Sequence, residues 1–172
     1  ARGSAINVGV LLGHTPLRLY VMGEAATERP ATDDEMAQMQ HLVREGMQAG
    51  AVGFATSKAN THNGFGGRPV PSRAAELSEI LTLAGTMREF DRGLTQLTIG
   101  PGFFLDQMAE ISRASGRPVS WTALLTGIGG PGSHRKMLQR NSELVAQGHA
   151  IVPQVSCRPL NFEFNFMEPF PF

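Results

Sequence analysis

Short apolar runs alternate with segments of helical period along almost the whole chain, and this alternation restricts the fold more than any other feature. Residues 6–12 (INVGVLL) have the length of a buried strand and end at Gly13. Thr32-Asp33-Asp34-Glu35 has the form of a capping box. Met36, Met39, Val43 and Met47 follow it at helical spacing, and Gly50 closes the helix. Residues 51–56 (AVGFAT) read as the next strand. Ser72 is placed to cap a helix whose apolar stripe is Leu77, Ile80, Leu81, Ala84 and Met87. The rhythm then tightens: strand 94–99, helix 103–114, strand 118–125, helix 133–146, strand 150–156. Five strands separated by helices predict a parallel sheet with right-handed crossovers, covered on both faces. The 172 residues suit one α/β domain over 1–172. A phenylalanine-rich tail, 160–172, begins like an edge strand and is stopped by Pro169 and Pro171.

Charge and cysteine content narrow the partners. Fifteen Lys+Arg balance fifteen Asp+Glu, so nothing attracts nucleic acid or an anionic membrane generically. Cys157 is the sole cysteine, which excludes an internal disulfide and a thiolate zinc site and suits a reducing, cytoplasmic compartment. No run approaches the roughly 18 apolar residues of a membrane helix, and no basic-then-apolar leader opens the chain. The start without Met and the end at Pro171-Phe172 read as cut ends. Five parallel strands cannot close a barrel, so open edges and the apolar tail predict a homo-oligomer if the chain stands alone.

In a parallel α/β architecture the chemistry sits where strands end. His14 follows the first strand. The long loop 57–71 after the second carries Ser57, Lys58, His62 and Arg68, and Gln96 lies in the third strand. Lys58 is one of only two lysines; its amine suits a carboxylate as a point charge, with Arg68 as the bidentate alternative. These six residues are the candidate substrate-binding set, and no catalytic residue is assigned. A structural role competes at each: a solvated lysine, or a histidine holding a loop. His41, His134 and His149 are expected on the solvated surface. No H-x-H or H-E-x-x-H occurs, so no local metal motif exists. Gly127-Ile128-Gly129-Gly130-Pro131-Gly132 fits G-x-G-x-x-G, but Pro131 removes an amide and no acid ends the following strand. A nucleotide-binding α/β domain is therefore the weaker alternative.

Two stretches resemble the D-aminoacylase (N-acyl-D-amino-acid deacylase) branch of the amidohydrolases. One is NVGVLLGHTPLRLYVMG at 7–23; the other, 29–63, opens with RPAT and contains AGAVGFATSKANTHNG. The resemblance implies a (β/α)8 TIM-type barrel, of which about five strands, the third through seventh, are present. It also implies hydrolysis of an amide C–N bond in an N-acyl amino acid or cyclic amide by a zinc-bound water. Zinc is thus a cofactor of a full-length relative. In this segment the positions matching the family's fifth- and sixth-strand histidines read Thr98 and Ala123, so no metal ligand and no cofactor is expected here. The alternative is a non-catalytic barrel relative that binds a small carboxylated molecule.

Overall fold

In the computed structural model, which describes residue 3, residues 5–126 and residues 129–159, five strands form one parallel sheet in the order β1-β2-β3-β4-β5. The strands are β1 (Leu11–Gly13), β2 (Gly53–Ser57), β3 (Leu94–Thr98), β4 (Val119–Thr122) and β5 (Ile151–Pro153). Five α-helices connect and cover them: α1 (His14–Met22), α2 (Asp33–Gln48), α3 (Leu77–Gly85), α4 (Leu105–Ser115) and α5 (Ser133–Ala146). Each strand pairs with the next in sequence, as in a barrel wall. A doubly wound nucleotide-binding sheet instead reverses its strand order at a switch point, and this order contains no reversal. Residues 127 and 128 of the glycine-rich motif, and the tail 160–172, lie outside the described residues.

Register separates the sheet into two unlike faces. Phe54, Thr95 and Val119 lie side by side, as do Thr56, Leu97 and Trp121, and this face is buried under the helices. It packs on Met39, Val43 and Met47 of α2, Ile80 and Leu83 of α3, Met108 and Ile111 of α4, and Leu144 of α5. Trp121 donates its indole N–H to Asn141 Oδ1 at 3.0 Å, and Asn141 Nδ2 reaches Ile151 O at 3.2 Å, tying α5 to β4 and β5. The opposite face carries Ala55, Ser57, Gln96, Thr98, Ser120 and Thr122, all only half-buried. The expectation of two covered faces is therefore corrected. Val119-Ser120-Trp121-Thr122 alternates, and its small polar residues belong to the concave side of a barrel wall.

Local chemistry explains some element ends. The capping box at α2 is present: Thr32 Oγ1 accepts from Glu35 N at 3.3 Å, and Thr32 N donates back to Glu35 Oε2 at 2.8 Å. Arg29 grips the same carboxylate at 2.7 Å through two nitrogens; these bonds, with that from the Thr32 backbone, bring its pKa down to about 2. Gly53 opens β2 with φ +149°, and a Cβ there would lie 1.9 Å from Leu94 O, so only glycine lets β2 and β3 approach. Several sequence expectations shift: α1 was not anticipated, and β4 and β5 are shorter than the expected 118–125 and 150–156. Residues 6–10 lie outside the first strand, which starts at Leu11 and passes directly into α1. Ser72 caps no helix: it lies buried in a 3-10 turn (Pro71–Arg73), its hydroxyl donating to Ser57 O at 2.9 Å, while α3 starts later, at Leu77.

Candidate functional site

The C-terminal ends of β1, β2 and β3 surround a cleft of about 580 Å³, lined by Gly13, Thr15, Ser57, Thr61, His62, Asn63, Gln96 and Thr98 among others. Parallel pairing alone brings these together: Ser57 sits beside Thr98 and Ala55 beside Gln96. His62 comes in from the loop after β2. Its Nδ1 lies 2.6 Å from Ser57 Oγ, and Ser57 Oγ also accepts the Ala59 N–H at 3.2 Å.

That loop is fastened to the 71–75 segment by two cations. Lys58 Nζ donates to Arg73 O at 2.6 Å and to Ala75 O at 2.7 Å. Burial, followed by the repulsion of Arg18, lowers its pKa. The Arg73 guanidinium donates to Asn60 O at 3.0 Å and Asn63 Oδ1 at 2.8 Å. From the other side, the β3 exit closes onto the loop at Gly100, where a Cβ would lie 1.9 Å from Lys58 O. The mouth of the cleft is thus held by main-chain carbonyls that positive side chains satisfy.

His14 stands at the edge of the cleft with its side chain turned to the helix-covered face. As the first residue of α1, it lies buried on the helix-covered face. Its Nδ1 lies 2.8 Å from Thr56 Oγ1 and its Nε2 lies 2.7 Å from Glu79 Oε1 of α3. Glu79 also accepts Arg18 Nη1 at 2.6 Å on both oxygens, while Arg18 Nη2 donates to Ala26 O at 2.9 Å and Arg29 O at 2.6 Å. Burial dominates at His14 and lowers its pKa, so the ring is neutral at pH 7. It then donates from Nε2 to the carboxylate and accepts the threonine proton at Nδ1. Burial opposes ionisation of Glu79, but the bonds from His14 and Arg18 outweigh it and hold the carboxyl below its ordinary range. This cluster ties α1, β2 and α3 together behind the cleft.

The six sequence candidates therefore divide. Ser57, His62 and Gln96 meet in the cleft. His14 borders it with both ring nitrogens already engaged. The Lys58 ammonium lies on the carbonyls of Arg73 and Ala75. Arg68 is exposed and lines an adjoining cleft of about 710 Å³ with Leu19, Glu24 and Phe65. Sequence reasoning missed Glu79 and Arg18; a carboxylate on the helical stripe beside Ile80 and Leu83 was the available signal. His134 and His149, expected on the surface, are half-buried, whereas His41 is exposed beside Glu45.

A metal centre does not fit the described residues. The concave face offers hydroxyls and amides at Ser57, Gln96, Thr98, Ser120, Thr122 and Gln154, and the Gln154 amide bridges Ser120 and Thr122. No group of three or more His, Cys, Asp or Glu among the described residues is disposed to hold an ion. No described helix is long and apolar enough to cross a membrane.

Comparison with known proteins fits this geometry. No family model matches the chain. Solved D-aminoacylase structures superpose on 86% of it with a TM-score of 0.69 at 22% identity, the chain spanning 30% of theirs. One is a point mutant in complex with CuCl2; another was described for its binuclear metal centre. The fold is thus that of part of a (β/α) barrel like the one in those structures, with its cleft at the strand C-termini. In sequence, 85 residues are 40% identical to an N-acyl-D-aspartate deacylase of Alcaligenes xylosoxydans xylosoxydans, and 56 residues are 41% identical to a D-aminoacylase of the same organism. Those matches cover 49% and 33% of this chain and only 15% and 11% of the relatives. Over those stretches the chain is similar to the D-aminoacylase branch of the amidohydrolases.

Proposed function

We propose that this chain is the central βα portion of an amidohydrolase that cleaves the amide C–N bond of an N-acyl amino acid or a cyclic amide. The observation that carries the reading is the cleft at the ends of β1–β3, where Ser57, His62, Gln96 and Thr98 converge on one concave wall. In a parallel barrel this is the end that holds substrate. Hydroxyl, imidazole and amide groups there suit the carbonyl and N–H of an acylamide. Arg68, on the adjoining cleft, suits the substrate carboxylate as a bidentate partner. A zinc centre of a full-length chain would have to take its ligands from outside the described residues, where it would supply the activated water; the residues described here would bind and orient the substrate.

A second reading rests on the neutral donor set of the concave face: a barrel relative that binds a small carboxylated molecule without hydrolysing it. Free-amine release from a panel of N-acyl-D-amino acids, N-acyl-L-amino acids and cyclic amides separates the two. Turnover that loses kcat/KM in Gln96→Ala supports the first reading. Saturable binding without turnover selects the second, and neither binding nor turnover overturns both. Self-association through the β1 and β5 edges completes the proposal, and light scattering showing only monomer at micromolar concentration would contradict it.

A further inference from the structure

We propose that Ser57 and His62 form a nucleophile–base pair at the mouth of the cleft, able to take a small acyl group from an activated ester onto the serine. This goes beyond amide hydrolysis by the whole barrel, because acyl transfer to a hydroxyl uses groups of this chain alone. The Ser57 Oγ to His62 Nδ1 distance of 2.6 Å is within the reach that lets an imidazole remove a hydroxyl proton. Ser57 is the last residue of β2, and its Cβ is set by pairing with Thr98 of β3. The Ala59 N–H points at the same oxygen from 3.2 Å and favours negative charge there as the proton leaves.

The base is held by a built loop. His62 N donates to Ala59 O at 3.1 Å, and His62 O accepts from Val70 N at 3.3 Å. Arg73 binds the carbonyl of Asn60 and the side chain of Asn63 on either side of it. Ser72 anchors the Ser57 carbonyl at 2.9 Å. Gln96 lies on the same concave face, diagonal to Ser57, and its side-chain amide has no hydrogen-bond partner among the described residues. A long side chain reaches across such a diagonal, so this amide is placed to donate to the oxyanion of a tetrahedral intermediate.

The steps balance. Ser57 Oγ attacks the acyl carbon while its proton passes to His62 Nδ1. The intermediate collapses, and the departing alkoxide takes that proton, leaving an acyl-serine. Water then attacks the acyl carbon and gives a proton to His62. The carboxylic acid leaves as Ser57 regains its hydroxyl proton from the imidazole.

The test is incubation of the protein with p-nitrophenyl acetate in the presence of chelator, read by nitrophenolate release and by mass mapping of the acetylated peptide. The expected result is acetylation at Ser57, abolished in Ser57→Ala and slowed about 100-fold or more in His62→Gln, with both variants melting as the parent does. Acetylation confined to other residues, an unchanged rate in His62→Gln, or no acetylation of folded protein overturns the proposal. Because no amide is cleaved and no metal is needed, each of these outcomes leaves the amide-hydrolysis reading to its own assay.

Discussion

Replacing Glu79 by glutamine tests whether the buried cluster behind the cleft holds α1, β2 and α3 in place. The carboxylate accepts from His14 Nε2 at 2.7 Å and from Arg18 Nη1 at 2.6 Å on both oxygens, and all three side chains are buried. Removing one partner of a buried ion pair costs about 3–5 kcal/mol, mostly because the other charge is left uncompensated. Arg18 keeps its bonds to Ala26 O and Arg29 O, and the glutamine oxygen still accepts one bond, so the lower end applies, about 3 kcal/mol. At about 2–4 °C per kcal/mol for a domain of this size, the melting temperature falls by about 6–12 °C. Trp121, the only tryptophan and fully buried, reports unfolding in urea by fluorescence. The double variant Arg18→Met/Glu79→Leu, which removes both charges, is expected to lose less than Glu79→Gln. A loss under about 1 kcal/mol for Glu79→Gln would refute the reasoning, since it would mean that the cluster is solvated or dispensable.

The same cluster sets a pH dependence: the pKa of His14 is lower in the folded than in the unfolded chain, so the unfolded state binds more protons below pH 6.5. Stability therefore falls as pH drops through that value and falls further as Glu79 is protonated below pH 4.5; His14→Gln should remove the first step in urea midpoints measured against pH. Thr95 is buried with its hydroxyl unpaired among the described residues, and Thr95→Val should raise stability by about 1 kcal/mol in the same assay. Lys58→Ala frees the carbonyls of Arg73 and Ala75, and the melting temperature should drop by several degrees; an unchanged value would return the ammonium to a ligand-only role.

The βα order was legible because each helix carries its apolar stripe and each strand is short, so a parallel sheet followed from period and length alone. The start of α2 was readable from the capping box at Thr32. The helix α1 was not anticipated at all. Gly13 offers no side-chain cap, and the apolar run at 6–12 hides the point where strand becomes helix. Residues of the cleft were legible by place, since strand ends and the following loop are where side chains converge. Their partners were not, because the Lys58 carbonyl contacts and the His14–Glu79 bond join positions 15 to 65 residues apart. Histidines look alike in sequence. The difference between His14, neutral behind the wall, and His62, against a serine at the mouth, appears only once the strands are in register.

Substrate is proposed to bind at the C-terminal ends of β1, β2 and β3. Titration of isotopically labelled protein with an N-acetyl-D-amino acid, followed by backbone amide shifts, tests it most directly. Saturable shifts concentrated at Gly13–Thr15, at 55–63 and at 96–98 are expected. Shifts confined to the outer faces of α2 or α5, with those three segments unmoved, would contradict it.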